Sequence, residues 1–231
     1  MCVKNMDSSK ENVDDLDLLP SSKTNSIILE QKSFTKERSF DNDTLFDHQL
    51  PLSFPIENGS DKDVFLRLLQ TKDLALYLNL FTDKHVTQFT GGFFTEQQAE
   101  HNFKKSVNAL SKVPVNHITW VVEHKSTGRV LGIATLVLLS QLPRYGEIGV
   151  MLDHKYQDKG VGSELLQQLI EIAFNRYQLK ALLSYTESGN SRVKHILKKN
   201  LFEVYEHEKL IKHSQQGCYW RLLTKYKKSV Q

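Results

Sequence analysis

The sequence predicts an α/β protein of the α+β type, built as a mixed, mostly antiparallel β-sheet with helices on its faces. Apolar runs of strand length and amphipathic helical patterns follow one another from about residue 63 to residue 228. Their order is β-α-α-β-β-β-α-β-α-β-β, with no internal repeat. A chain of 231 residues with 39 % hydrophobic and 10 % aromatic residues can also build a substantial core.

Residues 1–60 have the composition of a disordered tail rather than of a folded domain. They are rich in Ser, Asn, Asp and Lys and hold three of the five prolines. Such a segment buries too little apolar surface to offset the entropy of ordering. Residues 1–63 carry 7 Lys/Arg and 13 Asp/Glu, a balance of −6, which leaves +9 for residues 64–231. We therefore expect an acidic, disordered tail before a basic domain at 63–228.

Composition argues against several classes of protein. Cys2 and Cys218 alone offer no disulfide framework and no metal-ligand spacing, which fits a reducing cytoplasm and no metal. No apolar run reaches the roughly 18 residues that span a membrane, and the N-terminus lacks the apolar core of a secretory signal. A basic domain favours an anionic ligand. Its lysines are not interleaved with aromatic residues, which argues against nucleic acid, and no P-loop motif occurs.

The first half of the domain is predicted to hold a strand, two helices and a hairpin. Thr95 and Gln98 have the spacing of a capping box, which marks the start of a helix. Apolar residues alternate over 117–124, as in a half-buried strand, and a turn at 126–128 leads into the next strand. The predicted elements are a strand at 64–69, helices at 72–80 and 95–110, and strands at 117–124 and 130–139, with a loop at 82–94.

The stretch 147–177 predicts a buried strand, a short glycine-bearing loop and an amphipathic helix. The loop is Gln157–Gly162, QDKGVG. Its two glycines let the backbone approach a ligand closely where the helix begins. The first amides of a helix are unpaired and lie at the positive end of its dipole, so this loop predicts a site for a phosphate or pyrophosphate. The elements predicted after it are strands at 181–186, 202–211 and 218–225 and a helix at 191–199.

These motifs, in this order, resemble the GCN5-related N-acetyltransferase (GNAT) superfamily, and most of all its RimJ/RimL-type branch. Gln157–Gly162 fits the family's Q/R-x-x-G-x-G/A loop, and 190–202 follows its N-x-x-S/A…K-x-G-F pattern. The Glu147-Ile148-Gly149 opening of the strand, and 66–68 with Asp73, are usual in the Rim branch. The resemblance covers about residues 63–228 and implies the GNAT acyl-CoA N-acyltransferase fold.

The resemblance implies acetyl-CoA as the acyl-donor co-substrate. In the family, the loop amides cradle its pyrophosphate and the preceding strand pairs with its pantetheine arm. Asn190 is expected either to hold the cofactor or to cap its own helix. The implied cofactor-binding residues are Val150, Met151, Leu152, Gln157, Asp158, Lys159, Gly160, Val161, Gly162, Ser163 and Asn190.

Three positions depart from the family pattern. Leu201 replaces a common glycine, and Leu197 replaces the tyrosine that serves many relatives as general acid. Gln157 replaces the more frequent arginine and removes a positive charge, which Lys155 or Lys159 could supply. With Leu197, the leaving group departs as CoA thiolate or takes its proton from water.

Acetyl transfer by direct attack needs a group that removes a proton from the ammonium form of the acceptor. Glu147, at the start of the cofactor-binding strand, is the first candidate base. The competing interpretation is a surface carboxylate bridged to Arg144. Glu187, at the end of the neighbouring strand, is a weaker candidate. The histidines at 117, 154 and 195 are expected to be structural or exposed.

We expect an acetyl-CoA-dependent N-acetyltransferase that acts on a protein N-terminal α-amine or on a small-molecule amine. The alternative is a catalytically silent acyl-CoA-binding module that acts through a partner. Phe93 and Phe94, in the loop after two glycines, are candidates for a substrate-facing lid, whereas Trp120 is expected in the sheet core. The sequence does not determine the oligomeric state, for which a homodimer is one candidate.

Overall fold

The computed structural model describes residues 53–54, 64–208, 210 and 217–224. These residues form one eight-stranded sheet in the order β1-β2-β3-β4-β5-β6-β8-β7. β5 and β6 pair in parallel and the other neighbours pair antiparallel. The strands are β1 (Ser53–Phe54), β2 (Val64–Leu68), β3 (His117–His124), β4 (Val130–Leu138), β5 (Tyr145–Leu152), β6 (Ala181–Glu187), β7 (Glu203–Tyr205) and β8 (Gly217–Leu223).

Four α-helices accompany the sheet. Thr95 caps the second helix and forms the predicted capping box with Gln98. The last turns of the third helix widen into a π-helix at Ile172–Arg176. The helices are α1 (Leu74–Thr82), α2 (Glu96–Ala109), α3 (Val161–Glu171) and α4 (Ser191–Lys199), with short 3₁₀ turns at Thr71–Asp73 and His154–Tyr156.

The two faces of the sheet bury separate apolar clusters. On one face, α3 and α4 pack against residues such as Ile148 and Leu182. On the other face, α1 and α2 pack against Val121, Ile133 and Met151. Successive side chains of a strand point to opposite faces. The odd-numbered residues of β5 therefore lie on the α1/α2 face and the even-numbered residues on the α3/α4 face.

The predicted fold class is confirmed, with two differences in detail. The strand predicted at 202–211 ends at Tyr205, and residues 206–208 and 210 are not strand. β1 lies inside the predicted tail, where Phe54 pairs with Leu66 and Ser53 with Arg67 at the sheet edge. The remainder of the tail lies outside the described residues.

A largely buried ion-pair network joins β2, β3 and the start of α1. Arg67 on β2 donates to both carboxylate oxygens of Asp73, at 2.7 Å each, and it also contacts Glu123 on β3. Asp73 in turn accepts from the amide of Gln70 at 2.8 Å. Removing one partner of such a network leaves a buried charge uncompensated, so the network fixes how α1 leaves the sheet.

Candidate active site

β5 and β6 separate halfway along their length. The three paired rungs are Tyr145 with Ala181, Gly146 with Leu182, and Glu147 with Leu183. β5 continues to Leu152 and β6 to Glu187 without further pairing between them. From Ile148 onward, β5 pairs only with β4 among the described strands. The backbone edge of β5 that faces the split is therefore available to an extended ligand.

The glycine loop lies at the end of β5 and opens α3. Gly160 is the N-cap of α3 with φ +83°, a left-handed conformation that glycine adopts at little cost. Within the described chain, the amides of Val161 and Gly162 make no hydrogen bond. A Cβ added at Gly160 would meet no heavy atom within 4 Å, and one at Gly162 would meet only Leu152 Cδ1 at 3.9 Å. The space beside both glycine Cα atoms is therefore open, which lets an anion approach the backbone closely.

Arg192 on α4 fastens the loop from the side. Its Nε lies 3.0 Å from Asp158 Oδ1, and its guanidinium donates to Gln157 Oε1 at 3.2 Å. Gln157 Nε2 donates to the carbonyl of Leu152 at 3.0 Å, so the Gln157 side chain braces the loop internally. Asp158 adopts φ +61°, a value that aspartate tolerates better than most residues. Arg192, which lies within the 190–202 motif, thus places a positive charge beside the loop.

The predicted cofactor residues of β5 differ in what they expose. Val150 is 38 % exposed, whereas Met151 and Leu152 are both 8 % exposed and pack in opposite core clusters. Met151 and Leu152 could therefore contact a ligand only through their backbone. Lys159 is exposed, with Nζ 5.9 Å from the centroid of the Tyr156 ring. Ser163, in the first turn of α3, is half-buried.

Glu147 lies at the last paired rung of the split, with its side chain on the α1/α2 face. Burial raises the pKa of its carboxyl to about 7 from an ordinary value of 4.5. The pKa of Tyr219 is also raised, first by burial and then by the charges of Glu147 and Tyr185, so these three groups share one environment. Within the described part of the chain, the Glu147 carboxylate makes no hydrogen bond or ion pair.

The bridge from Glu147 to Arg144 that sequence analysis kept as an alternative is absent. The Arg144 guanidinium donates instead to the carbonyl of Gln178, with Nε at 3.0 Å. A partly buried carboxylate with a pKa near neutrality is the form expected of a general base. Local sequence patterns could not identify Tyr219 as a neighbour of Glu147, because Tyr219 lies on β8, far along the chain.

Apart from Arg192, the described contacts of the 190–202 motif stabilise α4 and its ends. Asn190 Oδ1 accepts from the amide of Val193 at 3.1 Å, so the capping alternative for Asn190 is confirmed. Leu197 is 2 % exposed and lies in the core, where no proton donor is presented to a ligand. Leu201, at the common glycine position, adopts φ +61°.

The histidines and the two phenylalanines considered for the site lie partly in structural and partly in exposed positions. Burial lowers the pKa of His117, and His154 pairs with Asp83 at 3.2 Å, whereas His195 is exposed. Phe94 is 5 % exposed and stacks on Phe81 in the core, so its assignment to a lid is wrong. Phe93 is 51 % exposed.

No group of three or more potential metal ligands occurs among the residues that the structure describes. Of the helices in the described ranges, none is long and apolar enough to cross a bilayer.

Comparisons with known proteins agree with this geometry. A sequence profile of the acetyltransferase (GNAT) domain matches residues 63–203. The chain is 28 % identical over 132 residues to a glucosamine 6-phosphate N-acetyltransferase of Trypanosoma brucei brucei, covering 55 % of this chain and 83 % of the relative. It is also similar to two solved structures that share the fold at low identity.

One of these is a spermidine N-acetyltransferase from Vibrio cholerae, in complex with CoA and spermine, with a TM-score of 0.59 at 18 % identity. The match covers 71 % of this chain and 96 % of that one. The other is a GNAT-family acetyltransferase from Bacillus anthracis, with a TM-score of 0.57 at 19 % identity over 70 % of this chain and 95 % of that one. A split sheet with a glycine loop at its mouth defines the acyltransferase class. The chain belongs to the acetyltransferase (GNAT) domain family.

Proposed function

We propose that this protein is an acetyl-CoA-dependent N-acetyltransferase that works by direct attack of an amine on the thioester. The observation that carries the proposal is the end of the β5–β6 pairing at Glu147, with the open glycine loop at the far end of the same strand. A donor bound from loop to split would bring its acyl group close to a carboxylate with a pKa of about 7.

The proposed cofactor site uses mainly the backbone. The amides at the start of α3 would hold the pyrophosphate, and the unpaired edge of β5 would bind the pantetheine arm. Arg192 would hold the loop in place from α4. The cofactor set proposed from the sequence stays as predicted, with the side chains of Gln157 and Asp158 acting as braces for the loop.

Bound acetyl-CoA supplies an activated acyl group, and Glu147 serves as the base. It takes a proton from the ammonium form of the acceptor, directly or through one water, and frees the nitrogen lone pair. The nitrogen then attacks the carbonyl carbon, the bond from carbon to sulfur breaks, and the nitrogen releases its second proton to water. With Leu197 buried in the core, CoA leaves as thiolate or takes its proton from water. Alkyl thiols of pKa about 8.5 make that departure tolerable near neutral pH.

A small-molecule amine is the acceptor class that we favour, because the named relatives act on glucosamine 6-phosphate and on spermidine. A protein N-terminal α-amine is the second candidate, supported by the resemblance of 66–68 and Asp73 to the RimJ/RimL-type branch. We further propose a cytoplasmic location, because a sequence with only two cysteines offers no disulfide framework and fits a reducing compartment. A homodimer is compatible with this proposal.

One assay tests the proposed function against the silent acyl-CoA-binding alternative. Release of CoA thiol is measured from acetyl-CoA with glucosamine 6-phosphate, spermidine and a peptide with a free N-terminus, beside a thermal shift with acetyl-CoA. We expect both stabilisation and turnover on at least one amine. Stabilisation without turnover on any acceptor would favour the silent module, and no stabilisation would overturn the cofactor assignment.

A further inference from the structure

The segment between α1 and α2, residues 83–95, crosses the mouth of the split and is called the bridging segment here. Its Gly91 amide donates to Glu187 Oε1 at 2.8 Å, and Glu187 is the last residue of β6. Asp83 Oδ2 lies 3.2 Å from His154 Nδ1, just beyond the end of β5. The bridging segment is therefore attached to the last residue of β6 and to the turn that follows β5, beyond the paired part of the two strands.

Packing fixes the segment close to the strand ends. A Cβ added at Gly189 would lie 3.0 Å from Phe89 Cε1. The Phe89 ring can therefore pack against the turn after β6 because residue 189 has no side chain. The far end is closed by the amide of Phe94, which donates to the carbonyl of Phe81 at 2.9 Å. Phe93 stays exposed between these anchors, with Lys84 Nζ 5.0 Å from its ring centroid.

The bridging segment contacts the sheet on the face to which the Glu147 side chain points. Glu147 and Glu187 both lie on the α1/α2 face, because Glu147 pairs with Leu183 and side chains alternate along β6. The glycine loop opens α3, which packs on the opposite face. Glu187 is four positions beyond Leu183 on β6, roughly 13 Å at the rise of a strand, so Glu187 lies well away from the level of Glu147.

We propose that Glu187 is a positioning residue for the amine acceptor, acting through the Gly91 amide to hold the bridging segment over the split. This inference rests on the proposed function and adds to it the residue that forms the acceptor side of the site. From the sequence, Glu187 is also a weaker candidate for the base. Its observed contact uses the carboxylate as a hydrogen-bond acceptor for a backbone amide, at a distance from the reacting atoms.

The two roles differ in what glutamine can replace. A glutamine carbonyl oxygen accepts a hydrogen bond from Gly91 as a carboxylate oxygen does, but an amide cannot take a proton at neutral pH. Glu187→Gln therefore preserves the positioning role and removes the capacity to act as base. Glu187→Ala removes both.

The experiment compares Glu187→Ala, Glu187→Gln and the surface control Glu100→Ala, whose carboxylate lies on the exposed side of α2. The amine is the one of spermidine, glucosamine 6-phosphate and the peptide that wild type acetylates fastest. We expect Glu187→Ala to raise the acceptor KM at least about fivefold and to change the acetyl-CoA KM less than about twofold, since the bridging segment and the glycine loop lie on opposite faces. Glu187→Gln should stay within about threefold of wild type. Loss of kcat in both variants, or no effect of Glu187→Ala, overturns the inference.

Amide hydrogen exchange over residues 83–95 gives a readout that needs no turnover. Exchange at Gly91 should be faster in Glu187→Ala than in wild type, and close to wild type in Glu187→Gln. Equal exchange in all three proteins would show that the contact does not hold the segment. A wild type that acetylates none of the amines but is stabilised by acetyl-CoA would overturn both the proposed function and the acceptor role. An active wild type with an unaffected Glu187→Ala would overturn the inference alone.

Discussion

Glu147 pairs with Leu183 at the last rung that joins β5 to β6, so the candidate base stands where the sheet opens. The paired side of this rung supplies a rigid backbone, and the open side supplies room for two substrates. The same position partly buries the carboxyl group, and this burial raises its pKa to about 7. One rung of the sheet therefore fixes both the place and the basicity of the carboxylate.

Replacing Glu147 with glutamine should remove the base and keep the site's shape. We expect Glu147→Gln to lower kcat at least about 100-fold, the lower range of general-base contributions. Acetyl-CoA binding should stay within about twofold of wild type, because the glycine loop begins ten residues after Glu147, beyond the far end of β5. CoA-thiol release measures the first effect and a thermal shift with acetyl-CoA the second. Unchanged turnover would remove Glu147 from the mechanism.

The pKa of Glu147 predicts how activity depends on pH. The carboxylate that accepts the proton accumulates as pH rises through about 7, so log kcat/KM should rise below that pH and bend to a lower slope above it. Deprotonation of the acceptor amine also raises log kcat/KM with pH, and it does so equally in wild type and in Glu147→Gln. The bend near pH 7 should therefore be present in wild type and missing from the residual activity of the variant. The same bend in both proteins would assign it to another group.

The same shift predicts a pH-dependent effect on stability. The folded-state pKa of Glu147, about 7, lies above the ordinary value of 4.5, so the fold favours the protonated form. The contribution of protonated Glu147 to the free energy of unfolding is fully present below about pH 4.5 and is lost as pH rises through about 7. Glu147→Gln, which resembles the protonated form, should be more stable than wild type at pH 8, by at most about 3 kcal/mol. Denaturant unfolding at pH 4.5 and pH 8 measures the difference, which should be close to zero at the lower pH.

Much of the local structure could be predicted from the sequence because it depends on local patterns. The capping box at Thr95 and Gln98, the strand at 117–124 and the helix at 191–199 are found at the predicted places. The glycine loop was also visible, since a left-handed N-cap and open backbone amides require glycine within a few residues.

Contacts between distant parts of the chain could not be predicted in this way. Gly91 and Glu187 are 96 positions apart, and Arg192 reaches Gln157 across 35. No periodicity or spacing encodes such pairs, because they depend on how the sheet brings loops together. The strand predicted at 202–211 ends early, at Tyr205, for a similar reason. An apolar pattern along the sequence does not determine where pairing with β8 stops.

The glycine at 162 offers a cleaner test of the cofactor loop than the glycine at 160. A substitution at Gly160 would also strain its positive φ, whereas the space around a Cβ at Gly162 is open. Gly162→Glu should abolish the thermal shift with acetyl-CoA, because it directs an anion toward the proposed pyrophosphate position. The matched control Gly162→Ala adds only a methyl group and should keep the apo melting temperature at or above that of wild type. A full shift in Gly162→Glu would contradict the assignment.

Arg192 should matter for the cofactor through the loop that it fastens. Arg192→Ala removes the contacts with Asp158 and Gln157 and lets the loop move. We expect the Kd for acetyl-CoA to rise about three- to tenfold, or about 0.7–1.4 kcal/mol, as suits an exposed pair. Lys199→Ala, an exposed change on the same helix, serves as the control for net charge. Equal losses in both variants would mean that general electrostatics, rather than the fastened loop, sets the affinity.

The end of α4 predicts a stabilising substitution. The amide of Phe202 donates to the carbonyl of Leu197 at 3.0 Å and that of Leu201 to the carbonyl of Lys198 at 3.0 Å, which are the two bonds of a Schellman motif. This motif places Leu201 at φ +61°, where a side chain costs about 1–2 kcal/mol, and Leu201 is 39 % exposed. Leu201→Gly should therefore raise the free energy of unfolding by about 0.5–1 kcal/mol after the larger unfolded-state entropy of glycine is counted. Leu201→Ala keeps the Cβ and should bring no gain, so denaturant unfolding of the pair isolates the backbone effect, and equal stability of the two variants would refute it.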